Sequence, residues 1–268
     1  MVGWVWMVRW TEALQEMMNA LGYTFTDLQF DACDTGLPVS RTRLWMEGRL
    51  GDCCGQRLRD ELVVTVGDIC RKAKRYDIDD FLFPDYDNLF EDWIDTPTTK
   101  VARESTIGGG VHDAEYASDE QWPLLHAFAF SKAPHEADRR HYEDDLSQNQ
   151  FFLAMTPRER SNLVLQLCKY PYPGPAQLFV NVEPSFDRVY HRTDMVHCIL
   201  PRGQIWAHHK KRLILGVESF LLQGSDLGAL KSVRPGVWAN KLLHNLAGSA
   251  FSAPQFAAVG IASLSSSG

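Results

Sequence analysis

The run Asp34-Thr-Gly36-Leu-Pro38-Val-Ser-Arg41-Thr-Arg43-Leu-Trp45 holds the residues best suited to chemistry. Its Gly and Pro make the first part a tight turn. Arg41 and Arg43 stand i, i+2 at the start of a strand, and side chains at that spacing share a face. Placed just after the turn, they are expected to aim outward from a sheet end. Guanidinium is a permanently charged fork of donors, so this geometry suits phosphate or carbonyl oxygens. The same pair would serve equally as a surface ion-pair site.

Other clusters are weaker. His208-His209-Lys210-Lys211-Arg212 is the densest basic run; it reads as a solvated surface or as a phosphate contact. Asp85-Tyr-Asp87 opens like a calcium loop, but Phe90 stands where the loop needs Gly and Thr96 where it needs Glu. Cys53 and Cys54 are adjacent rather than spaced as metal ligands, so no metal site is assigned. Gly108-Gly109-Gly110 lacks the Lys and the strand–helix frame of a phosphate-binding loop.

The elements that must position the arginines follow from periodicity. Trp10, Leu14, Met17, Met18 and Leu21 share one face of a helix over residues 10–21, which Gly22 ends. Residues 23–32 and 43–47 read as strands on either side of the turn, giving the edge of an α/β sheet. Residues 71–75 are basic, residues 77–95 acidic with interleaved aromatics, and residues 96–119 read as a long loop. Thr156-Pro-Arg-Glu159 is a capping box with Pro at the first helical position. Residues 178–182 and 198–206 read as strands, and residues 216–223 as a short helix closed by Gly224. Ser252-Ala-Pro-Gln255 is a second capping box, opening a helix to about residue 262, with a frayed tail at 263–268.

Composition bounds the partners. The 268 residues carry 27 Lys+Arg against 34 Asp+Glu, a net charge of −7, which excludes a uniformly basic nucleic-acid coat but not a local basic site. No apolar run approaches the roughly 18 residues of a membrane-spanning helix. Six cysteines are too few for a disulfide scaffold and point to a reduced, intracellular setting.

The segment from Asp34 to Arg43 resembles the eighth motif of DNA (cytosine-5-)-methyltransferases, roughly Asp-Tyr-Gly-Val-Pro-Gln-x-Arg-x-Arg followed by a strand. Asp34, Gly36, Pro38, Arg41 and Arg43 match; Thr35 and Val39 depart from it. Arg212-Leu-Ile-Leu-Gly-Val-Glu218-Ser-Phe-Leu-Leu-Gln223-Gly224 looks like the ninth motif, with Leu215 and Val217 in place of its Thr and Arg. Asn245-Leu-Ala-Gly248-Ser249-Ala250-Phe251-Ser252 resembles the tenth, with Ser249 replacing Asn. The three stand in the family's order. The family's cofactor loop, its Glu-Asn-Val motif and its Pro-Cys nucleophile are missing from these residues.

The resemblance implies the C-terminal half of such an enzyme, its catalytic start lying upstream of residue 1. The fold expected is α/β: a partial Rossmann-like S-adenosylmethionine-dependent methyltransferase sheet domain with an inserted, irregular α+β target-recognition-like region. Residues 1–48 would be catalytic-domain sheet, 49–200 the variable region, 201–262 the returning ninth and tenth motifs, and 263–268 a disordered tail. By resemblance Arg43 approaches a flipped base and its backbone, and Arg41 steadies the motif and a neighbouring phosphate. Gly248, Ser249 and Ala250 wall the S-adenosylmethionine pocket. Glu218, Gln223 and Gly224 organise the recognition region. In the family a Cys thiolate attacks C6 of the flipped cytosine, and no cysteine here sits in that context. The chain alone is therefore expected to be inactive, with DNA as partner, a missing N-terminal half or partner chain, no membrane, and a nuclear location in a eukaryote. Two other readings stay open: a non-catalytic DNA-binding or regulatory module, and an unrelated acidic α/β interaction protein. The last predicts that Arg41 and Arg43 lie far from residues 245–252.

Overall fold

In the computed structural model, residues 2–51, 55–84, 136–184, 190–201, 203–226 and 240–265 are described. Asp85, Asp87, Cys53, Cys54 and Gly108–Gly110 lie outside them. The described chain is mixed α/β, about half helical, with small antiparallel sheets. It divides into two units: Met1–Leu37, Arg41–Tyr76 and Phe251–Gly268 in the first, Pro38–Ser40 and Asp77–Ala250 in the second. No helix among the described residues is long and apolar enough to cross a membrane.

The first unit is built on α1 (Val2–Ala20), β1 (Tyr23–Phe30), β2 (Arg43–Leu50), α2 (Gly55–Lys72) and a C-terminal helix, α8 (Ala253–Ser265). β1 and β2 pair antiparallel from Phe30↔Arg43 to Tyr23↔Leu50. Alternation then sends Leu28, Phe30 and Trp45 to one face and Phe25 and Gly48 to the other. α2 and α8 cover the first face, where Leu58, Leu62, Val66 and Ala262 pack with Leu28, Phe30 and Cys70. Leu58, Leu62, Val66 and Cys70 fall every four residues, one stripe of α2. α1 covers the other face: a Cβ on Gly48 would stand 2.9 Å from Met18 Cε. The sheet thus has helices on both faces, the layering of α/β proteins.

Three expectations change here. α1 starts eight residues before the expected helix. The residues after β2 form α2 and belong to the first unit, so no break between units falls at residue 48. α8 continues to Ser265, because Ser263 is held at both ends: its hydroxyl donates to Glu47 Oε2 (2.8 Å) and its carbonyl accepts from Arg49 Nη2 (2.6 Å).

The second unit contains α3 (Glu136–Leu146), α4 (Gln150–Ala154), α5 (Pro157–Leu167), β3 (Phe179–Asn181), β4 (Tyr190–Arg192), β5 (Ile205–Ala207), β6 (Arg212–Leu213), α6 (Gly216–Leu221) and α7 (Asn240–Ser249). The strands run β4-β3-β5-β6, all antiparallel. Pro201 and Gly203 confine the expected strand over 198–206 to its end, where β5 forms. The capping box at Thr156 forms: its backbone N–H donates to Glu159 Oε2 at 2.9 Å, and Pro157 opens α5. Tyr142, Leu146, Leu163, Leu167, Val180 and Trp206 are central to the core between these helices and the sheet.

Candidate functional site

The connection from β1 to β2 is closed by Asp31, just ahead of the expected motif. Its Oδ1 accepts from Cys33 N (3.1 Å) and Arg41 N (2.8 Å), and its Oδ2 accepts from the Thr42 hydroxyl (2.8 Å). Asp34 returns the favour, accepting from Asp31 N at 2.9 Å. A carboxylate that gathers backbone and hydroxyl donors fixes the loop more strongly than neutral acceptors would. The stem is completed by Ala32 N donating to Arg41 O at 3.2 Å. Gln255 of α8 then ties in: its Nε2 donates to Phe30 O (3.0 Å) and Arg41 O (3.3 Å). The expected capping box at Ser252 is not formed for this reason. Gln255 points into the loop, and Ser252 Oγ is buried with no hydrogen-bond partner among the described residues.

Arg41 and Arg43 do not share a direction. β2 begins only at Arg43, so strand alternation does not reach back to Arg41. Arg41 is 1% exposed, which corrects the outward-aimed reading. It is an internal residue of the loop. Arg43 is half-buried, opposite Phe30, with Nη1 donating to Thr42 O at 3.2 Å. Beyond it, the Trp45 ring packs at a tilt against Phe251 (centroids 5.7 Å) and Phe256 (6.1 Å). The eighth-motif strand and the segment following the tenth-motif residues therefore share one unit. Pro38–Ser40 belong to the second unit, where Val39 bridges Val196 in parallel.

Gly248, Ser249 and Ala250 close the second unit. Gly248 is buried against Leu200 and Pro201; a Cβ there would stand 2.1 Å from Pro201 N. Ser249 ends α7 and is exposed, and Ala250 N donates to Ala247 O at 3.2 Å. Gly248 is thus a close-packing position, where its missing Cβ lets α7 approach the Leu200–Pro201 backbone.

Glu218 is 0% exposed, at the start of α6 rather than on its surface. Arg212 meets it through both nitrogens, Nη1–Oε2 at 2.8 Å and Nη2–Oε1 at 2.7 Å. The carboxylate also accepts from Leu215 N and Phe83 N, each at 2.7 Å, and Arg212 Nη2 donates to Phe83 O at 3.0 Å. The pair pins residue 83 to the β6–α6 junction. Gln223 is equally buried, and neither amide atom has a partner among the described residues. Gly224 closes the helix in the left-handed region, its N–H on Leu221 O at 2.7 Å.

The remaining basic run is neutralised. His209 meets Asp79 at 2.8 Å, Lys210 reaches the same carboxylate at 3.9 Å, and Lys211 pairs with Asp145. His208 is buried, with Nε2 at 3.1 Å from Pro173 O. Three of these charges are thus matched by carboxylates of the same unit.

Two thiols of the first unit are held away from the thiolate form. Burial, then the charge and hydrogen bond of Asp31, push the Cys33 thiol up to about 11. Burial also raises Cys70, and Cys168 is buried in the core. A protonated thiol is a poor nucleophile.

Three histidines make the second unit acid-sensitive. Burial pushes His244, His191 and His197 down to about 4. His244 lies 3.2 Å from the Ser219 hydroxyl inside the α6–α7 contact. Being neutral when folded and near 6.5 when unfolded, it contributes stability that is complete above pH 6.5 and lost as pH falls toward 4. We expect about 2 kcal/mol to be lost at His244 between pH 7 and pH 5. Urea midpoints across that range would show it, with a smaller slope in His244→Gln.

No family model matches the chain, and no curated protein matches it with significance.

Proposed function

We propose that this chain is the C-terminal part of a DNA (cytosine-5-)-methyltransferase-like protein that does not methylate by itself. The observation that carries the reading is the joining of the eighth-motif loop to the helix after the tenth motif. Gln255 bonds the backbone of Phe30 and Arg41, and the Trp45 ring packs at a tilt against Phe251 and Phe256. Residues more than 200 positions apart thus build one layered unit, as the family's order requires of its catalytic domain. The β1–β2 pair with helices on both faces is, in this reading, the last piece of a Rossmann-like sheet.

Within this frame Arg43 is the half-buried cation at the DNA-facing strand, and Arg41 is a buried residue bonded into the loop through its backbone. S-adenosylmethionine, the methyl donor the resemblance implies, would meet this chain at Ser249 and Ala250 only, Gly248 being taken by Leu200 and Pro201. The nucleophile and the rest of that pocket come from elsewhere, in further residues of a longer chain or in a partner. The outer side of α8 supports such a neighbour. The helix carries no charged residue, and Phe256, Ile261 and Leu264 are exposed on it. Apolar patches of this kind mark surfaces that another protein covers.

The test is methyl transfer from labelled S-adenosylmethionine to cytosine-containing DNA. The purified chain is expected to incorporate no label. Incorporation should appear once a catalytic half bearing the cofactor loop and Pro-Cys is added or fused. Methylation by the 268 residues alone, or none in any combination, would overturn the reading.

A further inference from the structure

The cations left exposed beside the eighth-motif loop are not Arg41 but Arg71, Lys72, Lys74 and Arg75. We infer that the strip 71–76 is a contact surface for the phosphate backbone of DNA, an inference that rests on the DNA-facing reading above.

The strip is held in place by its backbone rather than by its charges. α2 commits Leu58, Leu62, Val66 and Cys70 to the core and ends at Lys72. The chain then crosses the loop: Tyr76 N donates to Gly36 O at 3.1 Å, and the Arg75 guanidinium donates to Cys33 O. Gly36 lets the two backbones touch, since a Cβ there would stand 2.0 Å from Lys74 O. The main chain is thereby fixed while the four basic side chains and Tyr76 remain exposed.

Those charges are poorly spent inside the protein. Arg71 pairs with the exposed Asp68, and Asp34 lies near enough to Arg75 for both to act on the Cys70 thiol. Arg75 bonds a carbonyl, however, and not a carboxylate. Lys74 Nζ sits 4.7 Å over the Tyr76 ring, and Lys72 has no ion pair among the described residues. Lys72, Lys74 and Arg75 thus differ from His209, Lys210, Lys211 and Arg212, each of which meets a carboxylate. A fixed backbone and exposed cations suit a phosphodiester chain, whose counterions the lysines release.

Binding of a short labelled DNA duplex to the full chain, followed by fluorescence anisotropy across salt concentrations, tests this. Lys72→Gln/Lys74→Gln should weaken binding about tenfold at low salt and reduce the salt slope by about 2. Lys210→Gln/Lys211→Gln removes the same charge from the neutralised run and should leave the slope unchanged. Both lysines of the first pair are exposed, so circular dichroism should be unaltered. Equal effects of the two pairs would overturn the inference. Binding that survives Lys72→Gln/Lys74→Gln but falls on Arg43→Ala would overturn it while leaving the DNA-facing reading intact. No salt-dependent binding by the parent chain would overturn both. Equal affinity for vesicles of anionic phospholipid would overturn it in favour of a membrane surface.

Discussion

Glu218→Ala should destabilise the second unit by about 3–5 kcal/mol, the cost of leaving a buried partner charge uncompensated. Arg212 has no route to water, since it is 1% exposed, and it meets the Glu218 carboxylate through two nitrogens. The substitution also strips acceptors from Phe83 N and Leu215 N, which are buried bonds in their own right. Glu218→Gln should cost less, because it keeps one oxygen for those donors while losing the charge. The double change Arg212→Met/Glu218→Leu removes both charges and should restore much of what either single change loses. Urea unfolding gives the stabilities. Hydrogen exchange at Phe83 and Leu215 locates the damage, since both amides should lose protection together. Single and double variants of equal stability would show that the ion pair contributes little.

The same pair shows where sequence reasoning stops. Glu218 was legible as a motif residue and as the third position of a short helix. Its burial was not, because the partner that makes burial tolerable lies in a run of five basic residues that reads as solvated surface. Pairing is a tertiary property, and periodicity carries no trace of it. Local signals fared better. Gly22, Thr156 with Glu159, and Gly224 each stand where the backbone conformation or capping bond they specify is found. The two strands around the Asp34 turn are likewise visible in their alternation. The stripe of α2 at Leu58, Leu62, Val66 and Cys70 has helical spacing, but the charged residues interspersed with it and its basic end obscure that period in the sequence. Arg41 lies before β2 begins, so the alternation that orients Arg43 does not reach it. Gln255, arriving from the far end of the sequence, bonds the Arg41 carbonyl and so does not serve a box at Ser252. Asp31 was passed over because it stands one turn before the motif, although an Asp before a tight turn is a known organiser of backbone N–H groups.

Gly36→Ala should be the most damaging single-methyl change in the first unit, at roughly 3–5 kcal/mol from two sources. The residue has φ +95°, where a side chain is strained, and the new Cβ would overlap Lys74 O at 2.0 Å. The obstacle is a backbone carbonyl, so no rotamer change relieves it; the strip 71–76 must move away from the loop. Gly51→Ala separates the two terms. Gly51 has φ +113° with nothing within 4 Å of its Cβ, so only the conformational strain applies, about 1 kcal/mol. The difference between the variants measures how tightly the strip is pressed on the loop. Exchange at the Tyr76 amide, which donates to Gly36 O, should quicken in Gly36→Ala and not in Gly51→Ala. Displacing the strip should also weaken DNA binding by Gly36→Ala with every cation still present, because the phosphate contacts depend on where Lys72 and Lys74 are held. Equal losses of stability in the two variants would mean that the strip yields freely, and that its lysines are not held in place by the loop.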